Sequence, residues 1–146
     1  MALDTARFWA FLETTQSKAL EKLKTRHPAD WQARILGQYD KLIKRKGVLH
    51  LLKKGLPVED AHFTLMYPAP LASSAQAVHD HFAANVWSVT RQVHHSLANP
   101  NESIDMVLFV NGLPIVTLEL KNAWTQQTAR YHGQKQYRDR DATQPL

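Results

Sequence analysis

Three charged residues interrupt two apolar runs that flank an Asn-Gly pair: Asp105, Glu119 and Lys121. Two carboxylates that converge in a low-dielectric site repel each other unless a cation lies between them. Carboxylate oxygens suit Mg²⁺, which keeps several waters and also binds phosphate. A lysine beside them could deprotonate or orient a metal-bound water and stabilise the charge of a phosphoryl transition state. These three residue types are therefore the ones that phosphodiester hydrolysis needs.

The spacing alone also fits a simpler interpretation. Side chains alternate along a strand, so Glu119 and Lys121 point to the same side. A Glu-x-Lys pair at a strand end is usually a solvent-exposed ion pair that contributes little to stability. On spacing alone we favour the ion pair, and a catalytic site needs further support.

The loop between the two strands decides whether Asp105 can lie beside Glu119. The pair Asn111-Gly112 is the strongest hairpin signal in the chain. A two-residue loop would bring Asp105 opposite Leu118, on the wrong face for Glu119. A three-residue loop with a bulge would bring Asp105 opposite Glu119. A shared site therefore predicts the longer loop or a bulge.

The elements around this hairpin are predicted from hydrophobic periodicity, caps and helix breakers. Helices are predicted from Phe8 to the break at His27-Pro28, from the N-cap Asp30 to Gly47, within the segment that starts at Ala75, and from Thr125 to Arg138. Strands are predicted from Phe63 to Tyr67, from Trp87 to Val93 and on both sides of Asn111-Gly112. A short apolar segment runs from Val48 to Leu52.

Composition narrows the class of protein. The 146 residues are 44% apolar and 21% charged, which is ordinary for a soluble globular domain. A formal charge of +5 favours an anionic partner such as nucleic acid. The chain has no cysteine, which excludes disulfides, thiolate zinc sites and a cysteine nucleophile. The N-terminus has neither a signal peptide nor a membrane-spanning segment, so we expect a cytoplasmic protein with no membrane partner.

Beyond composition, several stretches resemble the N-terminal nuclease part of the restriction (R) subunit of type I restriction–modification enzymes, in the PD-(D/E)xK nuclease superfamily. The quoted matches are spread over nearly the whole chain: SIDMVLFVNGLPIVTLELKN (103–122), WSVTRQVHHS (87–96), QKQYRDRDATQPL (134–146), ETTQSKALEKLKTRH (13–27) and KRKGVLHLLKKG (44–55). The resemblance implies an α/β (α+β) fold with a restriction-endonuclease-like mixed sheet flanked by helices. We divide the chain into a helical N-terminal segment over 1–57 and a nuclease core over 58–146; the alternative is that the two form one domain together.

The resemblance also implies an activity and its residues. It implies Mg²⁺-dependent endonucleolytic cleavage of double-stranded DNA, with modification and specificity subunits as partners. By carry-over, Asp105 and Glu119 bind the metal and Lys121 is the catalytic lysine. Gln134 and Tyr137 are supporting candidates, although the family motif Gln-x-x-x-Tyr has a longer spacing than this pair. An additional upstream acid has four candidates: Glu13, Glu21, Glu59 and Asp80.

Two departures from the family remain. No P-loop motif GxxxxGK[ST] occurs in these residues, so the ATP-driven translocation of the full-length subunit has no ATP site here. No closing element follows the last predicted helix, so we expect the nuclease core to be incomplete at its C-terminus. The alternative function is a truncated, catalytically silent module that binds DNA or assembles with partner subunits.

Overall fold

The structure is a computed structural model that describes residues 3–94, 103–120, 131 and 133–139. The helices and strands of these residues follow in chain order: α1 (Thr5–Arg26), α2 (Trp31–Lys46), α3 (Val48–Lys54), β1 (Leu56–Val58), β2 (Ala61–Phe63), α4 (Gln76–Ala83), β3 (Trp87–His94), β4 (Ser103–Val110), β5 (Leu113–Leu118) and α5 (Gln134–Arg138).

These elements confirm the predicted α+β class. β1 and β2 form one sheet, and β3, β4 and β5 form a second sheet with β4 in the centre. Both sheets are antiparallel. The parallel strand pair that a mixed sheet requires does not occur among the residues that the structure describes.

The chain divides into two compact units. The helical unit comprises Leu3–Trp87 together with the hairpin turn Val110–Leu113. The sheet unit comprises the described residues of Ser88–Phe109 and Pro114–Leu146. The domain division predicted after residue 57 stays a prediction.

Helix α1 ends where the sequence predicts, and it begins at Thr5, before the predicted start at Phe8. The side chain of Asp4 caps the helix by accepting a hydrogen bond from the backbone N–H of Arg7 (3.1 Å). His27 follows the last turn, and Pro28 cannot continue the helix. The buried side chains recur at helical spacing and form the core face of the helix: Phe8, Phe11, Leu12, Leu20 and Leu23.

Helix α2 confirms the second predicted helix. Its buried side chains are Ile35, Tyr39 and Leu42, and it ends at Gly47, whose φ of 79° lies in the left-handed region. Asp30 is the N-cap residue by position, yet its side chain makes no capping hydrogen bond. It bonds instead with Nε of Arg34 (3.0 Å). The apolar segment that follows Gly47 forms the short helix α3.

The strand predicted from Phe63 to Tyr67 is wrong beyond its first residue, because β2 ends at Phe63. Amide side chains take the place of a neighbouring strand for the residues that follow. Gln16 accepts from the backbone N–H of Thr64 (2.7 Å) and donates to its carbonyl (2.8 Å). Asn85 bonds with the N–H and the carbonyl of Tyr67 in the same two-sided way (3.0 and 2.8 Å). The backbone is thus satisfied without a ladder, as buried polar groups require.

Gln16 also explains a break inside α1. Its φ and ψ of −141° and 34° are not helical, so α1 is two helical runs joined at this residue. The side-chain amide of Gln16, at this break, binds the backbone of Thr64. These hydrogen bonds fix α1 against the segment that follows β2.

The sheet unit has its own small core. Ile104, Val107 and Phe109 of β4 are buried together, and Val93 of β3 packs against them. The central strand is therefore the most apolar of the three, as its position requires. The predicted helix over 125–138 is seen as α5 (Gln134–Arg138), while residues 125–130 lie outside the described part. No helix of the described residues is long and apolar enough to cross a membrane.

Candidate active site

The hairpin turn that sets the register of β4 and β5 contains only two residues. β4 ends at Val110 and β5 begins at Leu113, with Asn111 (φ 50°) and Gly112 (φ 81°) between them. Positive φ at both central residues is the signature of a type I′ turn, whose twist matches that of the flanking strands. The prediction of a longer loop or a bulge at this turn is therefore wrong.

The carboxylate of Asp105 nevertheless reaches the chain beside Glu119. Its Oδ2 accepts a hydrogen bond from the backbone N–H of Leu120, at 2.7 Å. The alternation rule did not anticipate this contact, because β5 ends at Leu118 and the next two residues no longer follow the strand. The bond fixes Asp105 against the peptide group that joins Glu119 to Leu120.

Asp105 and Glu119 are both partly buried, and the side chain of Leu120 is largely exposed. A charge-assisted bond from a backbone N–H orients a carboxylate without neutralising it. The Asp105 carboxylate therefore lies against the backbone that follows Glu119, and both acids are accessible in part to solvent.

The donor set fits a hard divalent cation. Mg²⁺ is usually held by one or two carboxylates together with waters and substrate phosphates. Asp105 and Glu119 supply two such carboxylates. No group of three or more His, Asp or Glu residues that could hold a metal ion occurs among the described residues. The remaining ligands of a magnesium ion here would therefore be water or phosphate oxygens, or atoms outside those residues.

The other predicted site residues are only partly described. Lys121 lies outside the described residues. Gln134 begins α5 with an exposed side chain, and Tyr137 belongs to the same helix, although its side chain is outside the described part. The supporting roles of Gln134 and Tyr137 therefore stay predictions.

The four upstream acids differ in their surroundings. Glu21 pairs with Lys24 (3.3 Å), and Glu59 pairs with Arg34 (3.0 Å). Asp80 accepts a hydrogen bond from Gln76 (2.9 Å), within α4. Glu13 is exposed on α1. These contacts are local, and they select no acid as a partner of Asp105.

Comparison with protein families identifies the relatives of this chain. The family model of the type I restriction enzyme R protein N terminus matches residues 12–146. The chain belongs to this family. The matched range includes the whole hairpin with Asp105 and Glu119, and the resemblance noted in the sequence is confirmed. Comparisons with curated proteins and with solved structures gave no significant match.

In this member of the R protein family, sequence reasoning missed the side chain of Asn111. It was expected only as a turn residue, yet it is buried and makes four hydrogen bonds. Its backbone N–H and Oδ1 bond with the carbonyl and N–H of Val86 (2.8 and 2.7 Å). Its Nδ2 donates to the carbonyl of Leu65 and to Oδ1 of Asn85, both at 2.9 Å. An amide within the apolar run LFVNGLP was the available signal, because a buried polar side chain needs partners.

Proposed function

We propose that this chain is the nuclease part of a type I restriction enzyme R subunit and that it cuts double-stranded DNA by Mg²⁺-dependent hydrolysis. The observation that supports the proposal is the hydrogen bond of the Asp105 carboxylate with the backbone N–H of Leu120, the residue that follows Glu119. Membership of the R protein family supplies the class of reaction.

Each proposed residue has a distinct task. Asp105 and Glu119 would hold Mg²⁺, which when bound supplies a Lewis acid and lowers the pKa of a coordinated water. The hydrogen bond from Leu120 keeps the Asp105 carboxylate in one orientation, so that little reorganisation is needed when the cation and the phosphate arrive. Lys121, one residue further, would stabilise negative charge that develops on the phosphate. Gln134 and Tyr137 would support these groups from α5.

The partners follow from the same assignment. Duplex DNA is the substrate, and modification and specificity subunits complete the enzyme, which we expect in the cytoplasm. ATP would act on motor domains of the full-length subunit, since the present residues contain no P-loop.

Variants Glu119→Gln and Lys121→Ala test the proposal in the assembled enzyme, with ATP, Mg²⁺ and a circular DNA that carries the recognition site. We expect each variant to lose at least about 100-fold in the rate of DNA cleavage, because one removes a metal ligand and the other a charge that stabilises the transition state. ATP hydrolysis and DNA retention on a filter should stay at wild-type level, since neither residue is assigned to the motor or to assembly.

Cleavage at the wild-type rate by both variants would contradict the assignment. Loss of cleavage together with loss of ATP hydrolysis would indicate that the variants fail to assemble, and would not support a catalytic role. A wild-type enzyme that retains DNA but never cuts it would instead favour the silent module.

A further inference from the structure

A basic surface occupies the ends of two consecutive helices in the helical unit. The segment KLIKRKGVLHLLKK (41–54) spans the last turns of α2 and all of α3, and it contains six Lys or Arg residues and no acid. All six side chains are exposed: Lys41, Lys44, Arg45, Lys46, Lys53 and Lys54. We call these six residues the basic surface.

The net charge of the chain resides in this segment. The whole sequence has 18 basic and 13 acidic residues, for a formal charge of +5. Without the six residues of the basic surface, 12 basic residues remain against 13 acidic ones, and the rest of the chain is close to neutral. The positive charge is therefore concentrated over 14 residues.

Four of the six other Lys and Arg residues of the helical unit pair with acids. Arg7 pairs with Asp4, Lys24 with Glu21, Arg26 with Asp60 (2.7 Å) and Arg34 with Asp30 (3.0 Å). Within the basic surface, Lys44 has an ion pair, with Asp40 at 2.8 Å. No ion pair of the other five occurs among the described residues.

Helix electrostatics explain only part of this charge. Cations in the last turn of a helix interact favourably with its macrodipole, and five of the six residues lie in such a turn: Lys44, Arg45 and Lys46 in α2, and Lys53 and Lys54 in α3. Lys41 lies more than a turn before the end of α2, where the dipole effect has faded. Six like charges over this short span repel one another. The length of α3, about 10 Å, is close to one Debye length at physiological salt, so salt does not fully screen this repulsion. Such a surface is stabilised by an anionic partner.

A groove along α1 was the competing candidate. Lys18 and Lys22 line it, but Glu21 and Asp60 line it as well. The mixture of signs makes that groove a poor match for a polyanion. The segment of the basic surface contains no acid, although Glu59 lines a groove together with Lys41, so its net charge complements the phosphates of a polyanion.

We propose that the basic surface binds the phosphate backbone of duplex DNA, independently of base sequence. The choice of DNA as the polyanion rests on the proposed function, whereas the surface itself rests on its charge. Lysine and arginine contacts to phosphate release counterions, so each contact contributes about 0.9 to the slope of log affinity against log salt concentration. Binding of this kind holds DNA while other groups carry out the chemistry.

A pair of double variants tests the proposal with the full chain and a 30-bp duplex of arbitrary sequence, titrated at several salt concentrations. Lys41→Gln/Arg45→Gln removes two charges four residues apart on an exposed face of α2. Lys18→Gln/Lys22→Gln removes two charges at the same spacing on an exposed face of α1 and is the matched control. Glutamine is a good helix former, so both variants should fold.

We expect the α2 variant to lose about 1.8 from the salt slope and at least about tenfold in affinity at 0.1 M salt. The α1 control should bind like the wild type. A charge-conserving variant, Lys41→Arg/Arg45→Lys, should also keep the wild-type slope, which separates charge from folding. An unchanged slope for the α2 variant would overturn the proposal, and so would an equal loss in both neutralised pairs.

A second pair from the same surface, Lys53→Gln/Lys54→Gln, should lower the slope by a similar amount.

If the α2 variant keeps its DNA affinity but no longer joins the partner subunits, the surface docks protein and the proposal falls. Asp105→Asn keeps the proposals distinguishable: it should bind DNA with the wild-type slope. If it cuts DNA normally, the nuclease assignment fails while the result for the basic surface stands.

Discussion

At the scale of single residues, two side chains of the hairpin bind main-chain groups. Asp105 holds the N–H of Leu120 beyond the end of β5, and Asn111 holds Val86 and Leu65 at the turn. The first contact orients a proposed metal ligand. The second fixes the two-residue turn that determines how β4 and β5 face each other.

Asn111→Ala should destabilise the protein by about 3 kcal/mol. The variant leaves the N–H of Val86 and the carbonyl of the buried Leu65 without their side-chain partners, and a buried polar group left unsatisfied costs about 1–3 kcal/mol. It also places an alanine at a φ of 50°, in the left-handed region. Alanine has a β-carbon there but, unlike asparagine, no side-chain hydrogen bond that compensates for the strain. The free energy of unfolding in urea measures the loss.

Asn111→Gly separates the two causes, because glycine adopts positive φ freely. We expect it to lose stability through the missing hydrogen bonds alone, and to be about 1 kcal/mol more stable than the alanine variant. An alanine variant as stable as the wild type would show that the hydrogen-bond network contributes little.

At the scale of elements, the β1–β2 turn is tied to the ends of α1 and α2 by ion pairs. Glu59 in this turn bonds with His27 (3.0 Å) and Arg34 (3.0 Å), and Asp60 bonds with Arg26 (2.7 Å). The hydrogen bond with His27, followed by that with Arg26, holds the pKa of Glu59 below its usual value. The hydrogen bond with Arg26 does the same for the pKa of Asp60.

These lowered pKa values predict a pH dependence. A carboxyl group whose pKa is lower in the folded state stabilises the fold above its unfolded pKa, which is 4.5 for Glu59. That stabilisation is lost as the pH falls through the folded pKa. Glu59→Gln should therefore have a lower Tm than the wild type at pH 6, and the difference should vanish under more acidic conditions.

Thermal unfolding followed by circular dichroism from about pH 3 to about pH 7 gives the comparison. Glu13→Gln, which changes an exposed acid on α1, serves as the control and should follow the wild type throughout. A Tm difference for Glu59→Gln that stays constant down to pH 3 would show that the ion pairs are not its cause.

Elements with local signals could be predicted from the sequence, and those set by distant side chains could not. α1, α2 and the Asn111-Gly112 hairpin follow from periodicity, breakers and turn chemistry. The strand predicted up to Tyr67 failed because Gln16, 48 residues away, occupies the hydrogen bonds of Thr64. In the site, the residue types indicated the chemistry, but strand alternation could not foresee a contact made after β5 ends.

At the scale of the whole molecule, charge and chemistry lie on different parts of the chain. The proposed cleavage residues belong to the end of the β4–β5 hairpin, while the basic surface belongs to α2 and α3. The family match spans both. We infer a division of labour in which one part holds the DNA backbone and another part hydrolyses it.

The rate of DNA cleavage by the assembled enzyme with Asp105→Asn tests the central claim most directly. The amide oxygen can still accept the hydrogen bond from Leu120, so the variant keeps the geometry and removes only the negative charge. Asp30→Asn, a charge-matched change at the exposed residue before α2, is the control and should cut like the wild type. We predict at least about a 100-fold loss of cleavage for Asp105→Asn, with an unchanged Tm and unchanged ATP hydrolysis. Cleavage by Asp105→Asn at the wild-type rate would contradict the account.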